Sequence, residues 1–85
     1  MHVVPTEWLK EQVTVADAEA ANFQGGKPFG FQHLKWERLK GKMAPGDELW
    51  FFTSPPHTWV HLMGREGYAV VRQGEVIDSL ITSQS

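Results

Sequence analysis

The chain has 85 residues, a formal net charge of −2 at pH 7, and 41% hydrophobic and 21% charged residues. That length accommodates one domain and leaves no room for a second core. The sequence contains no cysteine, which excludes disulfides, thiolate metal sites and thiol catalysis. No apolar run reaches the ~20 residues that span a bilayer, and the stretch MHVVPTEWLKEQ lacks the basic start and apolar core of a signal peptide. We therefore expect a cytoplasmic protein with no membrane contact.

The charges fall into three blocks. Residues 1–26 hold one lysine against four acids, and residues 43–85 hold two arginines against five acids, so each block carries −3. Residues 27–42 hold five cations against one acid, which gives +4. The middle block is therefore the basic region of an otherwise acidic chain.

Two segments near the N-terminus are predicted to be helical. PTEWLKEQ begins with Pro5 and Thr6, which suit the start of a helix. TVADAEAANFQGG offers Thr14 as N-cap, Asp17 three residues later as a weak capping box, and a glycine pair as a stop signal. The two segments predict two short helices or one bent helix. We assign residues 1–30 to an N-terminal helical extension.

A third helix, FQHLKWERLKGKM, is predicted next, followed by a strand. Gly41 and Pro45 predict that this helix ends near residues 40–42. A Pro-Gly-Asp turn then leads into ELWFFT, residues 48–53, whose apolar run suits a strand covered on both faces. Four helix residues at i, i+4, i+7 and i+11 form a seam that should face the core: Gln32, Trp36, Leu39 and Met43.

The segment SPPHTWVHLMG predicts a short helix. Ser54 suits its N-cap, Pro55 its first position, and Gly64 the left-handed position past its end. His57 and His61 should point together towards water, on the side opposite to the core. The core-facing side is predicted to hold Trp59, Val60, Leu62 and Met63.

The same two histidines raise the question of a metal site. An i, i+4 histidine pair can bind zinc, but a stable site needs a third or fourth ligand. No glutamate follows His57, and His2 and His33 are isolated in the sequence. We therefore predict a solvated helix face, with no metal and no cofactor.

The C-terminal segment GYAVVRQGEVIDSLIT predicts a β-hairpin. Gln73 and Gly74 suit a two-residue turn between two β-rich runs. In that register opposite charges flank the turn and β-branched residues pair behind it. The expected pairs are Arg72 with Glu75, Val71 with Val76, Val70 with Ile77 and Ala69 with Asp78.

These elements together predict an α+β fold in a single domain, residues 1–85. N-terminal helices should pack on a small, about three-stranded antiparallel sheet. The expected order is helix-helix-helix-strand-short helix-hairpin. Residues 31–85 would form the α+β core.

Residues 36–82 resemble a group of short bacterial proteins that have no assigned activity. The shared motifs are a W-E-x-L-K-x-K-M helix, then P-G-D-E-L-W, S-P-P-x-x-W, G-R-x-G-Y-A and V-R-x-G-E-V-x-D-S. The resemblance covers a little over half of the chain and implies no catalytic or binding residues. Residues 1–35 lie outside it, which agrees with an N-terminal extension.

A basic stretch of the third helix is one candidate binding site. Lys35, Arg38 and Lys42 recur at i, i+3 and i+7, with Phe31 and Leu34 along the same side. Cations beside aromatic rings can contact phosphates and bases, or the carboxylates of an acidic partner. The net charge of −2 makes a general nucleic-acid binder the weaker of these interpretations.

Asp78 marks a second candidate site. It alternates with Val76 and Leu80 along a predicted strand, where an unpaired carboxylate is costly. Asp78 is either a satisfied polar group near the sheet edge or part of a ligand pocket with Arg65 and Tyr68.

We expect a noncatalytic protein-protein binding or regulatory module that acts as a homodimer. Two sheet edges and four tryptophans in a small chain indicate surplus apolar surface. Trp8 or Trp59 would anchor the interface, unless all four tryptophans pack in the core of a monomer. The chain has no nucleophile elbow and no phosphate-binding loop, which disfavours an enzyme. Two alternatives stay open: binding of nucleic acid or an acidic partner through residues 35–42, and a small-ligand pocket or enzyme site near Arg65, Tyr68 and Asp78.

Overall fold

The computed structural model describes residues 4–85, which form strands and short helices. In chain order these are β1 (Leu9–Val13), α1 (Val15–Ala21), β2 (Phe23–Gln24), β3 (Lys27–Pro28), α2 (His33–Gly41), β4 (Glu48–Thr53), α3 (Pro56–Val60), β5 (Arg65–Arg72) and β6 (Glu75–Gln84). One antiparallel sheet has the order β1-β4-β5-β6, and β2 and β3 form a separate hairpin. The first three residues of the predicted extension, with His2, lie outside the described residues.

The predicted architecture is wrong in strand number and in element order. The main sheet has four strands instead of about three, and β1 precedes α1 and α2, so the helices do not all come before the sheet. The first predicted helix is a short 3₁₀ turn, Thr6–Trp8, followed by β1. Leu9 and Val13 pair with Phe52 and Leu49 of β4, and this long-range pairing overrides the helix propensity of the Leu-Lys-Glu-Gln stretch.

The second predicted helix is present as α1 and begins as expected. The Thr14 hydroxyl accepts a hydrogen bond from the Asp17 backbone N–H at 3.0 Å, which satisfies one of the free donors of the first turn. The helix ends at Ala21, before the glycine pair. Gly25 and Gly26 have φ of 61° and 83° and form the turn between β2 and β3.

The main core lies between the sheet and the helices α1 and α2. Trp36 has no exposed surface and stacks on Phe29 at a centroid separation of 4.4 Å. Tyr68 of β5 meets the edge of the Phe29 ring at 5.6 Å. Other buried members of this cluster are Ala18, Leu39, Leu49, Val70 and Leu80.

Glu19 of α1 ties the two helices together. Its Oε2 accepts from the indole N–H of Trp36 at 2.8 Å and from the Lys40 ammonium at 2.9 Å. The Lys40 hydrogen bond, and then that of Trp36, hold the pKa of the Glu19 carboxyl below its usual value. The N-terminal acidic block and the basic block thus meet in the fold through one satisfied carboxylate.

The opposite face of the sheet carries a smaller cluster under the N-terminal segment. Val4, Phe52 and Ala69 are buried there. Trp8 is half-buried and stacks on Phe52 at 6.4 Å. Leu9, Val76 and Ile81 pack against this cluster.

The C-terminal hairpin has the predicted turn but only part of the predicted register. Arg72 pairs with Glu75 and Val71 pairs with Val76, as expected. The register then shifts between Val70 and Val71, so the next two predicted pairs are wrong: Val70 pairs with Asp78, and Ala69 pairs with Ser79.

A β-bulge accounts for this shift. One extra residue in β6 reverses which face of the sheet the following side chains occupy. Ile77 packs on the helix side, and after the shift Leu80 also lies on the helix side while Ile81 lies on the other. Strict alternation would have placed Leu80 away from the main core.

The short helix after β4 differs from its prediction at both ends. Pro55, not Ser54, is the N-cap of α3. Ser54 is buried, and its hydroxyl accepts from the Arg65 backbone N–H at 2.9 Å, which joins β4 to β5. Leu62, not Gly64, takes the left-handed conformation, with φ of 59°. A Cβ on Gly64 would lie 2.1 Å from Trp59 Cδ2, so Gly64 is needed where the indole lies against the backbone.

The apolar side of this segment does not close the core as predicted. Val60, Leu62 and Met63 are 76%, 74% and 59% exposed. Trp59 is half-buried, and its N–H donates to the Ser54 carbonyl at 3.3 Å. The histidines His57 and His61 are exposed, as predicted.

The turn before β4 is closed by Asp47. Its carboxylate accepts from the Ala44 backbone N–H at 2.8 Å and from Arg72 Nε and Nη2 at 2.9 and 2.8 Å. The Arg72 guanidinium, and then the Ala44 N–H, lower the pKa of Asp47 from 3.8 to about 2. This bidentate pair fixes the entry of β4 beside the β5–β6 turn.

Asp47→Asn should reduce the acid sensitivity of folding. A carboxyl whose pKa is lowered in the folded state stabilises it above the unfolded pKa, 3.8, and loses that contribution as the pH falls through about 2. Urea unfolding of the wild type and the variant across this range measures the effect. The wild type should lose more of its free energy of unfolding on acidification. Equal slopes for the two proteins would contradict the prediction.

Candidate binding site

A groove of about 350 Å³ runs between α2 and the edge strand β6. Leu39 and Leu80 supply its apolar part, Ile81 contributes its backbone carbonyl, and three cations line it from α2 and the residue after its end. The polar lining is Gln32, Lys35, Arg38, Lys42, Asp78, Ser79 and Gln84. The structure therefore brings together the basic candidate site and Asp78, which lie far apart in the sequence.

The cations of this groove form a stripe, Lys35, Arg38 and Lys42, which we call the basic stripe. Lys35 and Arg38 lie in α2 and Lys42 is its C-cap, and their spacing of three and four residues places all three on one side of the helix. Phe31, four residues before Lys35, lies in the 3₁₀ turn that leads into the helix and is 94% exposed. Leu34 is 72% exposed. The exposed ring at the start of the helix can contact apolar groups, and the cations of the stripe can contact acidic groups.

Two of the three cations have no anionic partner. Lys35 and Arg38 are exposed and make no hydrogen bond or ion pair with any residue between 4 and 85. Lys42 pairs with Asp78, whose carboxylate also accepts from the Ser79 backbone N–H at 2.8 Å. Burial raises the pKa of Asp78, but these two contacts outweigh it and the net shift is downwards. Asp78 is thus the satisfied polar group of the groove.

Side chains already occupy part of the exposed edge of β6. The Gln32 side-chain amide donates to the Ile81 carbonyl at 3.0 Å, and the Asp78 carboxylate accepts from the Ser79 backbone N–H. The register of β6 is also interrupted twice, near Ile77 and near Thr82. These features interrupt the ladder that an added strand would need. We conclude that the groove offers side chains to a ligand, and not a free strand edge.

The structure does not bring Arg65, Tyr68 and Asp78 into one pocket. Tyr68 is buried in the core, where its hydroxyl accepts from the Asn22 amide at 2.9 Å. Arg65 pairs with Gln84 at the far end of β5 and donates to the Gly64 carbonyl at 2.8 Å.

Trp8 and Trp59, the predicted interface anchors, also lie outside the groove. Trp8 packs on Phe52, and Trp59 lies over Gly64.

A second groove, also of about 350 Å³, lies between α1 and the strands β1 and β4, at the other edge of the sheet. Phe51 and Tyr68 form its floor, with their ring centroids 5.7 Å apart. Glu11 and Asp17 are exposed on its rim. The remaining lining residues are Val13, Ala18 and Ala21. Sequence reasoning missed this groove, because it forms only if residues 9–13 are a strand.

Neither a metal centre nor a membrane helix is found in the part of the chain that the structure describes. Residues 4–85 contain no group of three or more His, Cys, Asp or Glu side chains that could hold a metal ion. None of the helices within this range has the length and apolar character that crossing a bilayer requires.

Comparison with protein-family models, curated proteins and solved structures finds no match for the chain. Any functional proposal therefore depends on the groove and its neighbouring residues.

Proposed function

We propose that the protein is a noncatalytic binding module that holds an acidic segment of a partner protein on the basic stripe. One observation carries the proposal: Lys35 and Arg38 have no partner within residues 4–85, although both line the same groove, and Phe31 in the turn before their helix is 94% exposed. Exposed aromatic residues and arginines are the side chains that contribute most to protein interfaces. The groove supplies carboxylate-binding groups, and Phe31 with Leu34 supplies an apolar contact.

Charge favours an acidic protein segment over nucleic acid. Binding to a nucleic-acid backbone requires many cations in a row, because the affinity grows with each phosphate that the protein neutralises. The stripe has three cations, one of which, Lys42, is already paired with Asp78. The chain as a whole carries −2, which would repel a long polyanion. A short segment with a few carboxylates and an apolar side chain fits this surface better.

We include in the same proposal a regulatory role, self-association and a cytoplasmic location. A module of this size can act by binding an acidic segment of a partner. Residues 4–85 contain no metal-ligand cluster. Self-association has its own structural argument, which is developed below.

Charge reversal of the stripe tests the proposed function. The probe is a short fluorescein-labelled peptide rich in Glu and Leu, and the readout is fluorescence anisotropy at low and at physiological ionic strength. Lys35→Glu/Arg38→Glu should weaken binding by about tenfold or more, because two attractive contacts become repulsive. Binding to the wild type should weaken with salt.

Lys27→Glu is the matched control, because Lys27 is an exposed lysine that does not line the groove. It should bind the peptide as the wild type does. The proposal fails if the double variant binds equally well. It also fails if a single-stranded oligonucleotide displaces the peptide and binds more tightly to the same residues.

A further inference from the structure

Resting on the proposed function, we infer that the acidic partner of the basic stripe is a second copy of this chain, which receives Phe31 in the groove between α1, β1 and β4. The chain carries both halves of such a contact. One half is an exposed ring flanked by cations. The other is an aromatic-floored groove flanked by carboxylates.

Phe31 is the projecting half of the contact. Phe29 and Gly30 both have left-handed backbone conformations, with φ of 64° and 51°. Phe29 is buried against Trp36, while Phe31, two residues later, is 94% exposed. The fold thus turns one phenylalanine inwards and presents the other to solvent. An exposed aromatic ring with only two side-chain torsions loses little freedom on binding, which is the property of an interface anchor.

The groove at the opposite sheet edge is the receiving half. Its floor is formed by the rings of Phe51 and Tyr68, which prefer edge or offset contact with another aromatic ring. Ala18 and Ala21 of α1 are small, so the wall leaves the half-buried Phe51 ring of the floor accessible, while Tyr68 lies buried beneath it. A groove of about 350 Å³ is large enough to accept a phenylalanine side chain with room for flanking groups.

The charges around the two halves are complementary. Lys35 and Arg38 follow Phe31 by four and seven residues, on the helix that its 3₁₀ turn leads into. Glu11 and Asp17 lie on the rim of the groove, and neither side chain has a charged partner within residues 4–85. A ring seated on the groove floor would bring the two cations towards these two carboxylates.

The same charges exclude a two-fold contact between stripes. A symmetric dimer through α2 would place the cations of one copy against those of the other. The inferred contact is therefore head-to-tail, and it leaves the receiving half of one copy and the projecting half of the other copy free. Such contacts close into rings or extend as filaments. Because they rest on exposed ion pairs and one aromatic anchor, they should weaken with salt.

Two complementary variants test the inference, with mass measured by sedimentation velocity over a range of concentrations. The stripe variant is Phe31→Ser/Lys35→Ser, and the groove variant is Glu11→Lys/Asp17→Lys. The wild type should gain mass with concentration, and each variant alone should stay monomeric. Mixed in equal amounts, the two should form a dimer that grows no further, because each retains one working half.

Phe23→Ser/Lys27→Ser is the matched control, since it removes an exposed Phe and an exposed Lys that line neither groove. It should associate as the wild type does, and circular dichroism should show all variants folded. A wild type that is monomeric at every concentration, or a mixture that remains monomeric, overturns the inference. Assembly that persists in both variants also overturns it, since another surface would then be responsible.

The acidic peptide separates this inference from the proposed function. The groove variant retains the basic stripe and should bind the peptide like the wild type. If it does so while the wild type stays monomeric, the second copy is not the partner and the proposed function stands. If the peptide binds no protein in the set, the proposed function fails as well.

Discussion

Trp36→Ala should lower the free energy of unfolding by about 3–5 kcal/mol, which approaches the whole stability of a domain this small. Trp36 has no exposed surface and contacts Phe29 and Tyr68 with its ring. Its removal leaves a cavity between α2 and the sheet that the surrounding rings can fill only in part. It also removes the indole donor to Glu19, which then keeps Lys40 as its partner.

Urea unfolding followed by circular dichroism measures this effect. Trp50→Ala is the matched control, because Trp50 is half-buried and its N–H donates to Glu48 within its own strand at 2.8 Å. It should cost clearly less than Trp36→Ala. Trp36→Phe keeps most of the volume but loses the hydrogen bond, so it should fall between the wild type and the alanine variant. Equal losses at Trp36 and Trp50 would contradict the assigned core.

Gly67→Ala should destabilise the fold by about 3 kcal/mol or more, although it adds a single methyl group. A Cβ on Gly67 would lie 2.0 Å from the Leu80 carbonyl oxygen and 3.0 Å from Ile81 Cα. Both atoms belong to the backbone of β6, which cannot rotate away as a side chain would. The β5–β6 pairing must therefore separate at Gly67, next to the core residues Tyr68 and Leu80.

Gly41→Ala is the control of opposite sign. Gly41 ends α2, has no left-handed φ, and a Cβ added to it would have nothing within 4 Å. Alanine there should stabilise the protein by up to about 1 kcal/mol, since it restricts the unfolded chain and favours the helix. Thermal and urea unfolding of both variants give the comparison. A neutral Gly67→Ala would mean that β5 and β6 are not in close contact at this point.

The features that could be predicted from the sequence depend on neighbouring residues. The cap of α1 requires only Thr14 and the N–H of Asp17, three residues away. The hairpin turn requires Gln73 and Gly74 and the charges that flank them. Interactions between residues this close in sequence depend only on the local segment, so the sequence alone predicts them.

The features that were missed depend on residues far apart in the chain. β1 is a strand because β4 lies beside it, and its own residues favour a helix. The bulge in β6 places Leu80 on the face of the sheet that α2 covers. Its position therefore depends on packing against α2 and not on the hairpin itself. The predicted core-facing side of the segment after β4 was wrong, because α3 ends at Val60, and Val60, Leu62 and Met63 are exposed.

The candidate binding site also has one part that the sequence predicts and one part that it does not. The basic stripe follows from the spacing of Lys35, Arg38 and Lys42 on one helix, so it could be found from the sequence alone. Its groove could not, because the opposite wall is β6, about 40 residues later in the chain. The groove between α1, β1 and β4 was missed for a further reason: the sequence predicts a helix at Glu11, whereas the structure has a strand at the edge of the sheet.

The hydrogen bond from Gln32 to the Ile81 carbonyl also bears on the solubility of the protein. β6 is the longest strand, and its sequence EVIDSLITSQ contains the β-branched, apolar stretch that most readily recruits other chains into aggregates. At the edge of the sheet, contacts with the Gln32 amide at the start of α2 and with the Asp78–Lys42 pair hinder the pairing of this stretch with another strand. We therefore expect a helix that is distant in sequence to protect this edge, and damage to the first turn of α2 should open β6 to pairing with other chains before it unfolds the core.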